Sequence, residues 1–160
     1  MTIFKLSIDE FDEVDYELIA IHTSLEDYHL AYFINQKFPI LLSKNKNEIQ
    51  VKSKNGETFF SRFTFEDVEK DLAWNLLQNK NEVVVQKTGS GNNLFSNSAS
   101  GINARAYLLP EFKKVDYFLK IENSEDAAER IIRNLNKIDK ISTIYSVNAT
   151  HIKSKNNLIF

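Results

Sequence analysis

The chain contains 160 residues, with 20 basic and 22 acidic side chains and no cysteine. This length suits one domain with one core, and a formal net charge of -2 gives no overall positive field that would hold a nucleic-acid backbone or an anionic membrane. The absence of cysteine excludes disulfides, thiolate metal sites and cysteine nucleophiles, and it favours a reducing compartment.

The N-terminal residues alternate between apolar and polar types and reach an acid at Asp9. A secretory signal would need a continuous apolar stretch here. No segment contains the roughly 20 apolar residues that span a bilayer. We therefore expect one cytoplasmic domain over residues 1–160 that makes no membrane contact. The acidic run from Asp9 to Glu17 lacks the ligand spacing of a calcium loop and indicates a solvated connector.

A first β-α-β unit is predicted near the start of the chain. Residues 17–23 form an apolar, partly β-branched run that is typical of a buried strand. Ser24 can cap a following helix, which Pro39 ends, and residues 40–43 would return as a strand. The apolar positions of this helix repeat at helical spacing in two sets, Leu25, Tyr28 and Tyr32, and Leu30, Phe33 and Ile34.

The middle of the chain indicates an antiparallel meander. Asn55 and Gly56 suit a tight turn between extended segments at residues 49–52 and 57–65. Residues 66–79 fit either a helix or a strand by periodicity, and we prefer the strand. A further strand is predicted after the turn-like Asn79-Lys80-Asn81, at residues 83–86.

Residues 88–103 hold three of the four glycines among serines and asparagines, and this composition indicates a flexible loop. The loop lacks the spacing of a phosphate-binding motif. Beyond it we expect strands at 104–109 and 116–122, separated by a turn that Pro110 opens. A helix over 124–136 and a strand over 141–147 complete the pattern. The helix carries an apolar stripe of Ala128, Ile131, Ile132 and Leu135.

Two parts of the chain follow a similar plan. Asp15-Tyr16 and Asp116-Tyr117 each precede a strand, a helix and a second strand, which is consistent with an ancient duplication or with chance. In either case the pattern predicts an α+β fold, with two main helices packed on a largely antiparallel sheet.

Residues 109–117 read Leu-Pro-Glu-Phe-Lys-Lys-Val-Asp-Tyr. This segment resembles the motif of the bacterial IPExxxVDY family, with Leu109 in place of the isoleucine. Further likeness lies in residues 25–32, 74–76 and 153–160. The resemblance implies kinship and supplies no activity to carry over. The motif residues are Leu109, Pro110, Glu111, Val115, Asp116 and Tyr117.

Residues 116–149 also resemble half of a ferredoxin-like ACT domain, a regulatory module that commonly binds amino acids at dimer interfaces. ACT domains usually place a glycine at the strand-to-helix turn where the ligand meets the backbone. Here that turn is Glu122-Asn123-Ser124. The resemblance therefore implies a related fold and leaves ligand binding open.

Glu111, Asp116 and Tyr117 form the most prominent polar cluster, because paired carboxylates can bind a metal or act as acid and base. The alternative, which we prefer, is that Glu111 begins a short helix and that Asp116-Tyr117 simply opens a strand. His22 and His29 lie near Asp27 but lack metal-clip spacing, so we expect ordinary hydrogen bonds and no metal.

Phe59, Phe63 and Phe65 alternate along one predicted strand, an arrangement that can stack RNA bases. A sheet face covered by a helix is the preferred interpretation, because exposed rings would form a sticky patch. Candidate nucleic-acid contacts are Lys44, Lys46, Lys52, Lys54 and Arg62.

The leading hypothesis is a non-enzymatic module that acts through contacts with a protein partner or with itself as a homodimer, with ligand sensing as a variant. Two alternatives stay open. One is a protein associated with single-stranded RNA, which the net charge disfavours as a partner, and the other is an enzyme that uses Glu111 and Asp116. No cofactor is expected.

Overall fold

The computed structural model describes residues 15–54, 56–84 and 104–160. The helices and strands within these ranges are β1 (Tyr16–Thr23), α1 (Asp27–Lys37), β2 (Ser43–Lys44), β3 (Ile49–Ser53), β4 (Gly56–Phe60), β5 (Arg62–Asp67), β6 (Leu72–Gln78), β7 (Lys80–Glu82), β8 (Arg105–Tyr107), β9 (Tyr117–Glu122), α2 (Ala128–Leu135) and β10 (Ile141–Val147). Short 3₁₀ helices lie at Pro110–Phe112, Ala149–His151 and Lys155–Leu158. No described helix is long and apolar enough to cross a membrane.

The main sheet has six strands in the order β10-β1-β9-β6-β5-β2, and every neighbouring pair is antiparallel. Four of these strands, β10-β1-β9-β6, combine with α1 and α2 as two interlocked β-α-β units, which is the ferredoxin-like arrangement. Two small sheets, β3-β4 and β7-β8, complete the fold. The predicted α+β class is confirmed.

Both helices cover the same face of the main sheet. Alternate residues of a strand point to one face, so Ile19 and Ile21 of β1 meet the helices while Leu18 and Ala20 face away. Beneath α1 and α2 the buried helical residues are Leu30, Ala31, Ile34, Ile131 and Leu135. The predicted packing of two helices on one sheet is therefore confirmed.

The opposite face of the sheet is covered as well. Phe118 and Leu77 pack there against Phe60 of the β3-β4 hairpin, against Leu109 and against Leu158 of the C-terminal segment. Burial on both faces explains why β1, β6 and β9 are mostly apolar rather than alternating, with Asn75 and Lys120 as buried polar exceptions.

The start of α1 differs from the prediction. The helix begins at Asp27 with Glu26 as its N-cap, and Ser24 is not the cap. The N–H of Leu25 donates to Oγ1 of Thr23, and the carbonyl of Leu25 accepts from the Tyr117 hydroxyl. One local and one long-range hydrogen bond therefore hold residues 24 and 25 in a bend before the helix.

The outer face of α1 is also unexpected. Tyr28 and Tyr32 are 51% and 58% exposed, so one of the two predicted apolar stripes faces solvent. The ring of Tyr28 packs 4.2 Å from the ring of its neighbour His29. Leu30, Ala31 and Ile34 are the buried residues of α1, and the partly buried Leu25 and Phe33 pack beside them against the same core.

Residues 40–43 do not form the returning strand of the first unit. Asn35 holds Leu42 through two hydrogen bonds, of 2.7 Å from the Leu42 N–H and 3.1 Å to its carbonyl, so this segment stays a loop beside α1. Only Ser43 and Lys44 pair, at the far edge of the sheet. The strand that completes the unit is β6.

The predicted hairpin is confirmed by the pairing of β3 with β4, with Gly56 at a φ of +138°. Its second strand ends at Phe60, however, and β5 belongs to the main sheet. The break at Ser61 is held by the side chain of Gln78, whose Oε1 accepts from the Ser61 N–H at 3.1 Å. Asn55 lies outside the described residues, as does the predicted loop at 88–103.

The remaining boundaries follow the prediction more closely. Ile141–Val147 is a strand as predicted. Of residues 66–79, for which a strand was preferred, Leu72–Gln78 forms β6, whereas Glu66 and Asp67 end β5 and a turn over residues 68–71 separates the two strands. The described strand here is β7, Lys80–Glu82, and Val83 and Val84 are not part of it, although Val84 forms a bridge with Glu57. Residues 85 and 86 of the strand predicted at 83–86 lie outside the described residues. The turn predicted at Asn79-Lys80-Asn81 is wrong, because Lys80 and Asn81 lie in β7.

The helix α2 starts at Ala128, four positions later than predicted. Asn123 adopts a left-handed φ of +55°, and its side chain donates to the Asp71 carbonyl, so the chain turns before the helix can begin. The two similar Asp-Tyr pairs are not equivalent in space. Tyr16 lies on the face away from the helices, whereas Tyr117 lies on the helix face.

Candidate functional site

The segment from Leu109 to Tyr117 connects three distant parts of the chain. The N–H of Leu109 donates to Oδ1 of Asn79, Glu111 accepts from Ser154, and the Tyr117 hydroxyl donates to the carbonyl of Leu25. Leu109 and Val115 are fully buried on the face of the sheet away from the helices. Pro110 sits at the first position of the 3₁₀ helix, where its missing N–H costs nothing.

Asn79 lies outside this segment but is buried against it, and its side chain binds three of the segment's backbone groups. Its Nδ2 donates to the carbonyls of Phe112 and Val115, both at 2.8 Å, and its Oδ1 accepts from Leu109 at 2.9 Å. Its own backbone N–H donates to the Asp116 carbonyl. Burying an amide side chain is costly unless its donors and acceptors are satisfied, and here all of them are. Sequence reasoning missed Asn79, because its partners lie 30 or more residues away.

Asp116 holds the end of β1. Its Oδ2 accepts from the backbone N–H of Thr23 at 2.9 Å, and its Oδ1 lies 2.9 Å from Nζ of Lys80. An open cleft of about 330 Å³ lies beside it, and Gln78 and Glu26 also line this cleft. Both oxygens of Asp116 are thus engaged by the chain itself.

Glu111 contacts a different segment. Its Oε1 accepts from the backbone N–H of Ser154 at 3.1 Å, and its Oε2 accepts from the Ser154 hydroxyl. Partial burial raises the pKa of Glu111, but the hydrogen bonds from Ser154 and the charge of Lys153 outweigh this, so the pKa lies below its usual value. Glu111 does not line the cleft at Asp116, so the two carboxylates serve separate contacts.

Tyr117 is buried under the loop between β1 and α1. Its hydroxyl donates to the Leu25 carbonyl at 2.8 Å. Burial raises its pKa, and the nearby carboxylates of Asp27, Asp116 and Glu26 raise it further. The hydroxyl therefore keeps its proton and acts as a fixed donor.

The basic candidates do not lie along an aromatic platform. Phe63 and Phe65 pack under the helices, and Phe59 belongs to the separate β3-β4 hairpin. Arg62 stacks over the Phe160 ring at 4.2 Å, with its Nε donating to Asn75. Burial lowers the pKa of Arg62, against opposing contributions from nearby carboxylates. The four candidate lysines are all exposed. They are Lys44 in β2, Lys46 after it, Lys52 in β3 and Lys54 at the hairpin turn.

The histidines make ordinary contacts. Nε2 of His22 lies 3.2 Å from the Tyr145 hydroxyl, and His29 packs on Tyr28. Within the described residues there is no group of three histidine or carboxylate side chains that could hold a metal ion. Of the acidic run from Asp9 to Glu17, residues 9–14 lie outside the part that the structure describes.

Within the described residues, β10 is one of the two edge strands of the main sheet. β10 pairs with β1 on one side, and no described strand pairs with its other side. Its sequence, Ile-Ser-Thr-Ile-Tyr-Ser-Val, contains neither a charged residue nor a proline. Proteins usually protect a free edge with such residues or with a very short strand, as the two-residue β2 does at the opposite edge. A bulge opposite His22 and Thr23 disturbs only the start of β10.

The helix α2 lies over this edge, where it contacts β10 and β1. The charges along it are polarised. Acidic Glu125, Asp126 and Glu129 come first, and basic Arg133, Lys137 and Lys140 come last. Arg130 pairs with Asp126 at 3.1 Å, and Asp139 interrupts the basic end. The acid in the first turn of α2, Glu129, and the base in its last turn, Arg133, interact favourably with the helix dipole and give the helix one negative and one positive end.

Sequence reasoning missed the exposed edge, although a signal was present. The run at 141–147 was correctly predicted as a strand, but its lack of charge and proline was not used. No protein-family model matches the chain, and neither the curated proteins nor the solved structures contain a match.

Proposed function

We propose that this protein is a non-enzymatic interaction module that self-associates through the outer edge of β10. The observation that carries the proposal is a seven-residue, uncharged and proline-free edge strand whose outer side pairs with no described strand. Such an edge is a template for another strand. A second copy of the same edge is the partner of simplest geometry, since a two-fold axis pairs β10 with itself.

Antiparallel pairing of two β10 strands centred on Ile144 matches side chains of similar chemistry. In the regular part of the strand, Ile144 faces Ile144 and Thr143 faces Tyr145 of the second copy. Pairs of β-branched, aromatic and hydroxyl side chains stabilise neighbouring strands. The segment from Thr143 to Val147 is in regular register with β1 and can therefore accept a partner without rearrangement.

The helices support the same arrangement. Neighbouring strands lie about 4.8 Å apart, so two α2 helices, each over the β10-β1 boundary, would lie roughly two spacings apart, or about 10 Å. That is the distance at which helices pack. The two helices would run antiparallel, which brings the acidic end with Glu129 beside the basic end with Arg133 of the other copy. Charge complementarity thus favours the two-fold pairing.

The interpretation of residues 109–117 as a structural motif supports a non-enzymatic role. Glu111 and Asp116 each accept a hydrogen bond from a backbone N–H, of Ser154 and of Thr23, so both carboxylates are committed to joining segments. If the likeness to the IPExxxVDY family reflects kinship, this motif would serve folding in the relatives too.

The test is the mass of the protein in solution. Sedimentation equilibrium should give twice the monomer mass for the wild type. The double variant Thr143→Lys/Ser146→Lys places like charges on both edges and should sediment as a monomer. Both positions are exposed, so its melting temperature should stay close to that of a wild-type sample diluted to the monomer.

A matched control places the same two lysines elsewhere. Asn47→Lys/Gln50→Lys changes two exposed residues near β3, on the other side of the molecule from β10, and should remain a dimer. A wild-type protein that is monomeric at all concentrations would refute the proposal. Equal masses for the two double variants would refute the assignment to β10.

A further inference from the structure

A cavity of about 150 Å³ lies at the end of the sheet where three connections meet. Its walls come from Phe38 and Ile40 after α1, from Phe65 and Leu72 of the β5-β6 hairpin, and from Trp74. The turn between β9 and α2 forms its rim. This volume is similar to that of an engineered protein cavity that binds benzene.

The walls are aromatic and remain partly open. Phe38 and Trp74 pack with their ring centroids 5.0 Å apart. Phe38, Ile40, Phe65 and Leu72 belong to the periphery of the helix-side core, yet each is only half-buried. The core therefore leaves apolar and aromatic surface uncovered at this point.

Trp74 adds a polar signal. The residue is 5% exposed, and its Nε1 has no hydrogen-bond partner among the described residues. A buried tryptophan N–H usually finds an acceptor, because leaving it unpaired is costly. Because Trp74 lines the cavity, a bound molecule would change the environment of its indole ring.

The charges at the rim are mostly negative. Asp67, Glu125 and Asp126 line the cavity together with one base, Lys70. Asp126 is already paired with Arg130. Glu125 forms no ion pair within the part of the chain that the structure describes, so its charge is available to a ligand.

We propose that this cavity binds a small organic cation with a methylated ammonium group. Such a group is attracted to the faces of aromatic rings, most strongly to tryptophan, and the acidic rim adds to the attraction. A trimethylammonium group is no larger than benzene and fits the volume. This site is distinct from the β10 edge, so its test is independent of self-association.

Trp74 is the sole tryptophan of the chain, so its fluorescence and its indole N–H resonance report on this cavity directly. The probes are choline and 3,3-dimethylbutanol, its uncharged isostere, at constant ionic strength. Choline should change the fluorescence saturably and shift the indole resonance. The isostere should bind at least about tenfold more weakly than choline, because it lacks the charge.

Glu125→Gln should weaken choline binding several-fold, whereas Glu48→Gln, at an exposed residue that does not line the cavity, should leave it unchanged. Phe65→Leu should also weaken binding, while the circular dichroism spectrum confirms that each variant is folded. The proposal is overturned if choline leaves the indole resonance in place, if the isostere binds equally well, or if both glutamate variants behave alike.

Discussion

The carboxylate of Asp116 accepts a hydrogen bond from the backbone N–H of Thr23 at 2.9 Å, across 93 residues of sequence. This contact joins the segment before β9 to the end of β1, while the other oxygen of Asp116 holds Lys80 of β7. One side chain therefore ties together three strands at the same end of the fold.

Asp116→Ala should lower the free energy of unfolding by about 1–3 kcal/mol, because it leaves the Thr23 N–H without its acceptor and Lys80 without its partner. Urea denaturation measures the change. Asp139→Ala, at an exposed residue after α2, is the control and should lie within about 0.5 kcal/mol of wild type. Equal effects of the two substitutions would show that Asp116 does not stabilise the fold.

Asn79→Ala should be more damaging, with a loss of about 2–4 kcal/mol. The substitution leaves the carbonyls of Phe112 and Val115 and the N–H of Leu109 without their hydrogen-bond partner in a buried site. Thermal unfolding checks this, with the exposed Asn136→Ala as control. A small effect at Asn79 would mean that water replaces the lost amide.

The elements that the sequence predicted well are those whose signal is local. The helix near Ile131 and the strands β9 and β10 carry helical periodicity or apolar and β-branched runs that do not depend on distant residues. The fold class follows from them. The periodicity of residues 66–79 fitted a helix as well as the strand β6.

The errors arose where side-chain hydrogen bonds between separate segments decide the local structure. Asn35 holds Leu42 in a loop, and Gln78 binds Ser61 at the break between β4 and β5. The polar residues of the 109–117 motif were visible in the sequence, but their partners were not. The structure places Glu111 against Ser154 and Asp116 against Thr23, which no spacing rule predicts.

The contact between Glu111 and Ser154 should respond to acid. The pKa of Glu111 in the fold lies below its usual value of 4.5, so its contribution to stability is present above that value and is lost as the pH falls through the folded-state pKa. The stability difference between wild type and Glu111→Gln should therefore shrink as the pH is lowered. Thermal unfolding at a series of pH values measures it.

Ser154→Ala removes the hydroxyl that binds Glu111 and should produce a difference with the same pH dependence, though smaller, because the backbone N–H of residue 154 is retained. A gap between wild type and Glu111→Gln that stays constant from neutral to acidic pH would contradict the role assigned to this carboxylate.

The charges of α2 should affect self-association. Arg133→Glu should weaken the dimer, because it places an acid beside the acidic end of the second copy. The exchanged pair Glu129→Arg/Arg133→Glu should recover most of the affinity, since both copies carry the reversed charges. Sedimentation at low and high salt measures this, and high salt should reduce the differences. Failure of the exchanged pair to recover would argue against antiparallel α2 helices.

Hydrogen exchange of the backbone amides in Thr143–Val147, measured across a dilution series, tests the pairing of two β10 edges most directly. The amides that face away from β1 should exchange slowly in concentrated protein and quickly once dilution yields the monomer, while those bonded to β1 stay slow throughout. If the outward amides exchange quickly at every concentration, β10 is not the surface through which the protein associates.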